Sequence, residues 1–234
     1  MNSENKVQVC KLGKIPYLEV LNLQNHLHER KVKGEILDTL LLLEHLHVIT
    51  IGKSGNEKNI LFPKKLLNQK GIEVVHIKRG GDVTYHGPGQ IVGYPLFNIL
   101  NHGKGVKDFV TKVEEVFIHL LHKYYSIEAH RDSQYTGVWV GNEKITAMGF
   151  EIRKYVSMHG FAFNVNTDLS QFRWINPCGI IGKGVTSLAK LTGNEMNMNQ
   201  VYKQVINSFE QVFQHQFDPI TKEEIYMIAG CIQS

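Results

Sequence analysis

Twelve residues, Arg79 to Gln90 (RGGDVTYHGPGQ), constrain this chain more than any other stretch. They hold four glycines and a proline between two strand-like runs, Ile72 to Ile77 and Ile91 to Leu96. Glycine inside β-rich sequence marks a place where backbone passes close to something else. With Arg79, Tyr85 and His86 at its ends, the segment points to close approach on a ligand.

The rest of the chain alternates without a break. Lys6 to Leu12 reads as a strand, and Pro16 then opens a helix whose apolar positions are Leu18, Leu21, Leu23 and Leu27. Thr39 to Ile51 reads as one or two buried strands, and Pro63 to Gln69 as a short helix stopped near Gly71. Val106 to Leu121 keeps helical spacing over four turns. Gly137 to Val165 alternates, with turns at Gly141-Asn142 and Arg153-Lys154, and predicts a three-stranded meander. A second long helix is expected over Asn199 to Phe213. These elements predict one α+β domain over residues 1–234, with a mixed, largely antiparallel sheet.

Composition removes several function classes. A net charge of +4, with no run of five or six Lys or Arg, gives no track for nucleic acid. No apolar run approaches the ~20 residues of a membrane span. Three cysteines without CxxC spacing argue against a disulfide framework or a cysteine zinc site and fit a reducing compartment. The first thirty residues show no apolar signal core, and their first arginine is Arg30, so a cytoplasmic protein is expected. Gly52-Lys53-Ser54 lacks the glycine a phosphate loop needs at position 47, which is His47, and Gly182-Lys183-Gly184 lacks a following Ser or Thr. Gly87, Gly89 and Gly93 are spaced one residue too widely for a dinucleotide fingerprint.

What remains is a thiol. A lone cysteine is ordinarily a small core hydrophobe, as expected for Cys10 and Cys231. Cys178 differs, because Pro177 and Gly179 fix the backbone around it in a glycine-rich loop and leave its sulfur unshielded. A thiol with a pKa of about 8.5 is only a few per cent thiolate near neutrality, so it needs a base or cation beside it. His86, His159 and Lys144 are the candidates, and periodicity does not rank them.

Four blocks taken together carry a resemblance: Arg79 to Gln90, Thr136 to Ile145, His159 to Asn164, and Asn176 to Gly179 followed by Val185 to Leu188. In this order, over roughly residues 6–215, they resemble the lipoyl(octanoyl) transferases. The resemblance implies that Cys178 is an acyl-thioester nucleophile and that Lys144 lowers its pKa. It also implies an acyl pocket lined by Arg79, Gly80, Gly81, Asp82, Val83, Thr84, Tyr85 and His86, by Ala147, Met148 and Gly149, and by Gly160, Phe161 and Ala162, with His159 in support. The implied fold is that of the biotin and lipoate ligase catalytic domain. The implied reaction moves an octanoyl group from octanoyl-acyl carrier protein to a lysine of lipoyl domains, those of 2-oxoacid dehydrogenase complexes and the glycine cleavage H protein, without cofactor. One departure is visible: Glu44 to Val48 reads EHLHV where the family often carries two prolines after its histidine. Glycines 80, 81, 87 and 89 are expected to aim N–H groups at the thioester oxygen, and Asp82 is expected to face solvent. The alternatives are an ATP-dependent lipoate or biotin ligase, and a non-catalytic module that binds a carrier protein.

Overall fold

The computed structural model describes residues 6–176 and 183–232. The elements run β1 (Lys6–Ile15), α1 (Tyr17–Val32), β2 (Asp38–His45), β3 (Val48–Ile51), α2 (Lys64–Gln69), β4 (Glu73–His76), β5 (Val83–His86), β6 (Gln90–Leu96) and α3 (Val106–Tyr125). They continue with β7 (His130–Arg131), β8 (Gly137–Val140), β9 (Glu143–Arg153), β10 (Val156–Asn164), β11 (Gly184–Val185), α4 (Leu188–Thr192), α5 (Met198–Phe213), β12 (Gln216–Ile220) and α6 (Lys222–Ile228). Among the described residues, the main sheet has the order β12-β1-β2-β6-β10-β9-β8-β7, with β11 added against β9. A second sheet has the order β4-β3-β5. The β1–β2 and β1–β12 pairs are parallel, whereas β2–β6, β6–β10, β10–β9 and β9–β8 are antiparallel. The sheet is mixed and the fold class is α+β, as the sequence predicts.

Alternation in the central strands builds two cores from one sheet. Leu40 and Leu42 of β2, Ile91 of β6 and Phe161 and Phe163 of β10 pack with Phe109, Phe117 and Phe209 from α3 and α5. Leu41 and Leu43, Val92 and Tyr94, and Ala162 face the other way, onto α1 and Ile225 of α6. A strand buried on both faces reads as a continuous apolar run, which is why Leu40 to Leu43 carries no alternation. The small sheet closes a third core around Ile49, Val83, Tyr85, Phe172 and Trp174.

Two sequence expectations change. The buried face of α1 is Tyr17, Val20, Leu23, Gln24, Leu27 and His28, while Leu18 is 50% exposed. The helix phase is set by Tyr17 at its first turn, and a 3.6-residue repeat from there carries Leu18 outward. The glycine-rich stretch also contains a strand, β5, which pairs with β3 to form the edge of the small sheet. Its short VTYH run is masked in sequence by the glycines on either side.

Close approach of backbone, expected at the glycines, occurs against the protein itself. Gly89 sits at φ +78°, and a Cβ there would lie 2.6 Å from the Asn166 carbonyl. In the β6–β10 seam, a Cβ on Gly93 would lie 2.1 Å from Phe161 Cζ, and one on Gly160 would lie 2.1 Å from the Gly93 oxygen. The aromatic ring of Phe161 fills the space that Gly93 leaves.

Candidate active site

A cavity of about 530 Å³ lies between the small sheet and strands β6, β9 and β10 of the main sheet, with Tyr17 at the start of α1 closing one side. Residues 79–84 and His86, Ala147, Met148 and Gly149, and His159 to Ala162 all line it, as does Lys144. Tyr85 does not. As the alternate residue of β5 its ring points into the small-sheet core, edge-on to Phe172, and its hydroxyl lies 2.6 Å from His47 Nδ1. Strand alternation separates Tyr85 from its neighbours. Cys178 lies outside the described residues.

Two backbone segments meet at the cavity wall. The Gly80 N–H donates to Phe150 O at 3.0 Å, and a Cβ on Gly149 would come within 2.7 Å of the Gly80 oxygen. The Gly89 N–H is likewise used, donating to Glu44 Oε2 at 2.7 Å. Gly80 and Gly89 are therefore spent within the fold and do not serve as thioester-oxygen donors in this conformation. Asp82 also departs from the expectation of a solvated side chain. It is half-buried, accepting from the Asn56 N–H at 3.0 Å and from the Asn59 amide, and so fixes the turn before α2.

Arg79 is buried at 8% exposure. Its guanidinium donates to Thr50 O at 2.8 Å, to Thr50 Oγ1 at 3.0 Å and to Gly80 O at 3.0 Å. Threonine from the neighbouring strand thus aims the fork, and the charge makes the wall electropositive. His159 takes φ +58°, a conformation that favours glycine, and its N–H donates to Gln24 Oε1 at 2.9 Å. Burial pushes His159 down to about 4, against the opposing pull of Glu151, whose Oε2 lies 4.0 Å from Nε2. His86 is pushed down to about 3, first by burial and then by nearby His45, so it stays neutral. His45 is held at about 4 by burial. Its Nε2 lies 2.6 Å from the Tyr94 hydroxyl, and its Nδ1 lies 3.0 Å from Ile15 O. Because a carbonyl only accepts, Nδ1 carries the proton and Tyr94 donates to Nε2. Tyr17, Tyr94, His45 and His86 thereby form one ring cluster beside the cavity.

Lys144 lies second in β9, after the Gly141-Asn142 turn. Its Nζ donates to Thr136 O at 3.0 Å and stands 4.8 Å from the centre of the buried Trp139 ring. Gly137, at φ +130°, lies beside the lysine stem, and a Cβ there would come 2.5 Å from the Thr146 oxygen. Buried Glu114 accepts from the Gly137 N–H at 2.9 Å. Burial raises the pKa of Glu114, while Gly137, Arg131 and Lys144 pull it back. Lys183 pairs with Asp132 and places its Nζ 4.6 Å from the same Trp139 ring.

The chain leaves the described fold at Asn176, whose N–H donates to Asn59 O at 2.7 Å. It returns at Lys183, and Val185 then pairs with Lys144 in parallel register. Val185, seven residues after Cys178 in sequence, is thereby set beside Lys144.

Sequence reasoning missed Tyr17, Tyr94, Gln90, Asn164, Trp139 and Lys183 as cavity residues. Gln90 and Asn164 close two of the four sequence blocks, which is a usable signal, whereas nothing local distinguishes Tyr17. Among the described residues, no group of three or more His, Cys, Asp or Glu is arranged to hold a metal ion. Nor is any helix long and apolar enough to cross a membrane.

Comparison with known proteins gives the family and the fold. The family model described as lipoyl protein ligase A/B catalytic domain matches residues 16–210. The octanoyltransferase of Caldicellulosiruptor saccharolyticus is 53% identical over 221 residues, covering 94% of each chain. That of Desulforamulus reducens is 48% identical over 96% of this chain and 99% of its own. Among solved structures, a putative lipoate protein ligase from T. acidophilum with bound lipoic acid superposes with a TM-score of 0.74 at 14% identity. That match covers 96% of this chain and 93% of the other, and shows the shared fold. By sequence over nearly its whole length, and by fold, the chain belongs to the octanoyltransferase family, built on the lipoyl protein ligase A/B catalytic domain.

Proposed function

We propose that this protein moves an octanoyl group from octanoyl-acyl carrier protein, through a thioester on Cys178, to a lysine amine of an apo lipoyl domain. The observation that carries the reading is the register of β11 against β9. It sets Val185, seven residues after Cys178, alongside Lys144, which lines a cavity whose size suits a small ligand.

In the first step the Cys178 thiolate attacks the donor's thioester carbonyl. A new C–S bond forms, the donor C–S bond breaks, and the carrier's thiolate leaves, taking its proton from the Lys144 ammonium. The ammonium of Lys144 favours the thiolate of Cys178. In the second step the acceptor lysine's neutral amine attacks the enzyme thioester. The Cys178 thiolate is expelled as the amide forms, and Lys144, then a neutral amine, takes the proton the attacking nitrogen sheds. Exchange between thioesters is nearly neutral in energy, so the reaction runs without nucleotide. Arg79 supplies positive charge at the wall, and the neutral His86 and His159 supply hydrogen-bonding groups.

The test is the intact mass of the protein after incubation with octanoyl-acyl carrier protein. The expected result is one octanoyl adduct, absent in Cys178→Ser and removed by hydroxylamine, which an apo lipoyl domain then discharges. An adduct that forms equally fast in Cys178→Ser overturns the nucleophile. Lipoyl-domain modification that requires ATP, or no adduct at all, overturns the reaction.

A further inference from the structure

Five residues around the cavity, four of them buried, are joined in a single line of hydrogen bonds. His86 Nδ1 lies 2.8 Å from Gln90 Oε1. The Gln90 amide nitrogen lies 3.3 Å from Tyr85 O and 2.9 Å from Asn164 Oδ1. The Asn164 amide nitrogen lies 3.0 Å from Thr186 O, and the Thr186 N–H donates to Lys144 O at 3.0 Å. Gln90 and Asn164 are cross-strand partners in β6 and β10, exposed by only 1% and 4%.

Two backbone carbonyls fix the direction of the whole line. Thr186 O can only accept, so Asn164 turns its NH2 toward it and its oxygen toward Gln90. Tyr85 O can only accept, so Gln90 turns its NH2 toward Tyr85 and Asn164, and its oxygen toward His86. Flipping either amide would set two oxygens against each other in a buried site, where an unmade hydrogen bond is costly. An oxygen facing His86 Nδ1 then requires a proton on that nitrogen.

We propose that Gln90 and Asn164 are positioning residues of the acyl-transfer site, locking His86 with its proton on Nδ1 and its Nε2 as the acceptor, and fixing the Thr186 strand against Lys144. The line joins the glycine-rich wall, both central strands and the return of the Cys178 segment. It couples the part of the cavity that holds His86 to the part that holds the lysine. The inference rests on the acyl-transfer reading only for what is positioned; the tautomer and the strand tie stand on the hydrogen-bond directions alone.

The first measurement reads the tautomer directly. In protein labelled with ¹⁵N-histidine, long-range proton–nitrogen correlations report which nitrogen of each ring carries hydrogen, and His86→Asn identifies the His86 signals by their loss. The expected result is Nδ1–H in the native protein, lost or mixed with Nε2–H in Gln90→Met. A native Nε2–H form overturns the lock.

The second measurement is alkylation of Cys178 by iodoacetamide, with Cys10 and Cys231 replaced by Ala. Asn164→Asp preserves shape but sets an acceptor against Thr186 O, and Asn164→Leu removes both bonds. Both variants are expected to slow alkylation at pH 7 about tenfold, the effect of a one-unit rise in thiol pKa, with little change at pH 10. Equal slowing at both pH values, or none in folded variants, overturns the positioning role. Because neither measurement uses an acyl donor, failure of the acyl-transfer reading would show separately, as a native protein that octanoyl-acyl carrier protein does not acylate.

Discussion

Lys144 is held by contacts that suit a cation: a carbonyl oxygen at 3.0 Å, an indole face at 4.8 Å and buried Glu114 close enough to be influenced by its charge. Those contacts define what its removal should do. In Lys144→Met the stem still packs beside Gly137, but the thiol loses its neighbouring charge. The rate of octanoyl adduct formation is expected to fall by at least about tenfold near pH 7 and far less at pH 9.5, where hydroxide alone makes thiolate. Equal losses at both pH values would assign Lys144 to positioning. Arg79 gives a contrasting residue-scale case. Its fork is aimed by Thr50 through both a carbonyl and a hydroxyl, so Thr50→Val keeps the shape of the site and removes only the hydroxyl. That variant is expected to weaken acylation by a few-fold, read as a higher KM for octanoyl-acyl carrier protein with kcat less affected. A fall in kcat at unchanged KM would mean that the guanidinium acts on the reacting carbonyl instead.

At the scale of elements, the β6–β10 seam is the least forgiving joint. Gly93→Ala sets a methyl group 2.1 Å from Phe161 Cζ. The ring must leave its place against Phe117 and Phe209. Overpacking of this kind costs about 1–3 kcal/mol, so urea unfolding should show a lower midpoint at unchanged slope. Trimming the ring in Gly93→Ala/Phe161→Leu should recover part of the loss. A single variant as stable as the parent would show that the ring moves freely. The same seam shows how far the sequence could be read. The meander from Gly137 to Val165 was legible because alternation over long strands is a strong signal, as were α3 and α5 with their repeated apolar faces. The small sheet was less legible, since β5 is four residues long and Val83 and Tyr85 face a core built partly from Phe172 and Trp174, nearly ninety residues on. Leu18 misled because one-sided apolar spacing identifies a helix without fixing which of two adjacent stripes is buried. In the site, the residues inside the four blocks could be found, but hydrogen-bond direction could not. Whether Gly80 and Gly89 N–H groups are free or spent depends on Phe150 and Glu44, neither of which is marked by any local pattern.

Over the whole molecule, the histidines beside the cavity set a pH limit on stability. His45, His86 and His159 are buried and neutral, held at about 4, about 3 and about 4 against an ordinary value of 6.5, burial being the main cause in each. A histidine whose folded pKa is depressed binds fewer protons folded than unfolded. Its contribution to stability is therefore complete above about pH 6.5 and is lost as pH falls toward the folded value. Asp38 acts in a lower window. Burial would raise its pKa, but the hydrogen bond with His102 and the charge of Lys31 outweigh this and lower it, so its contribution fades only below the ordinary carboxylate range. Between pH 7 and pH 5 the histidines thus set the slope, each worth up to about 2 kcal/mol at pH 5 by the 1.36 kcal/mol-per-unit relation. Urea unfolding at pH 7, 6 and 5 should show stability falling steeply through this range. His45→Gln keeps a donor for Ile15 O and an acceptor for Tyr94 but does not titrate, so its curve should be shallower by about one proton. A parent curve that is flat from pH 7 to 5 would mean that these rings are protonated in the folded state, with the hydrogen bonds around His45 and His86 rearranged to accept the charge.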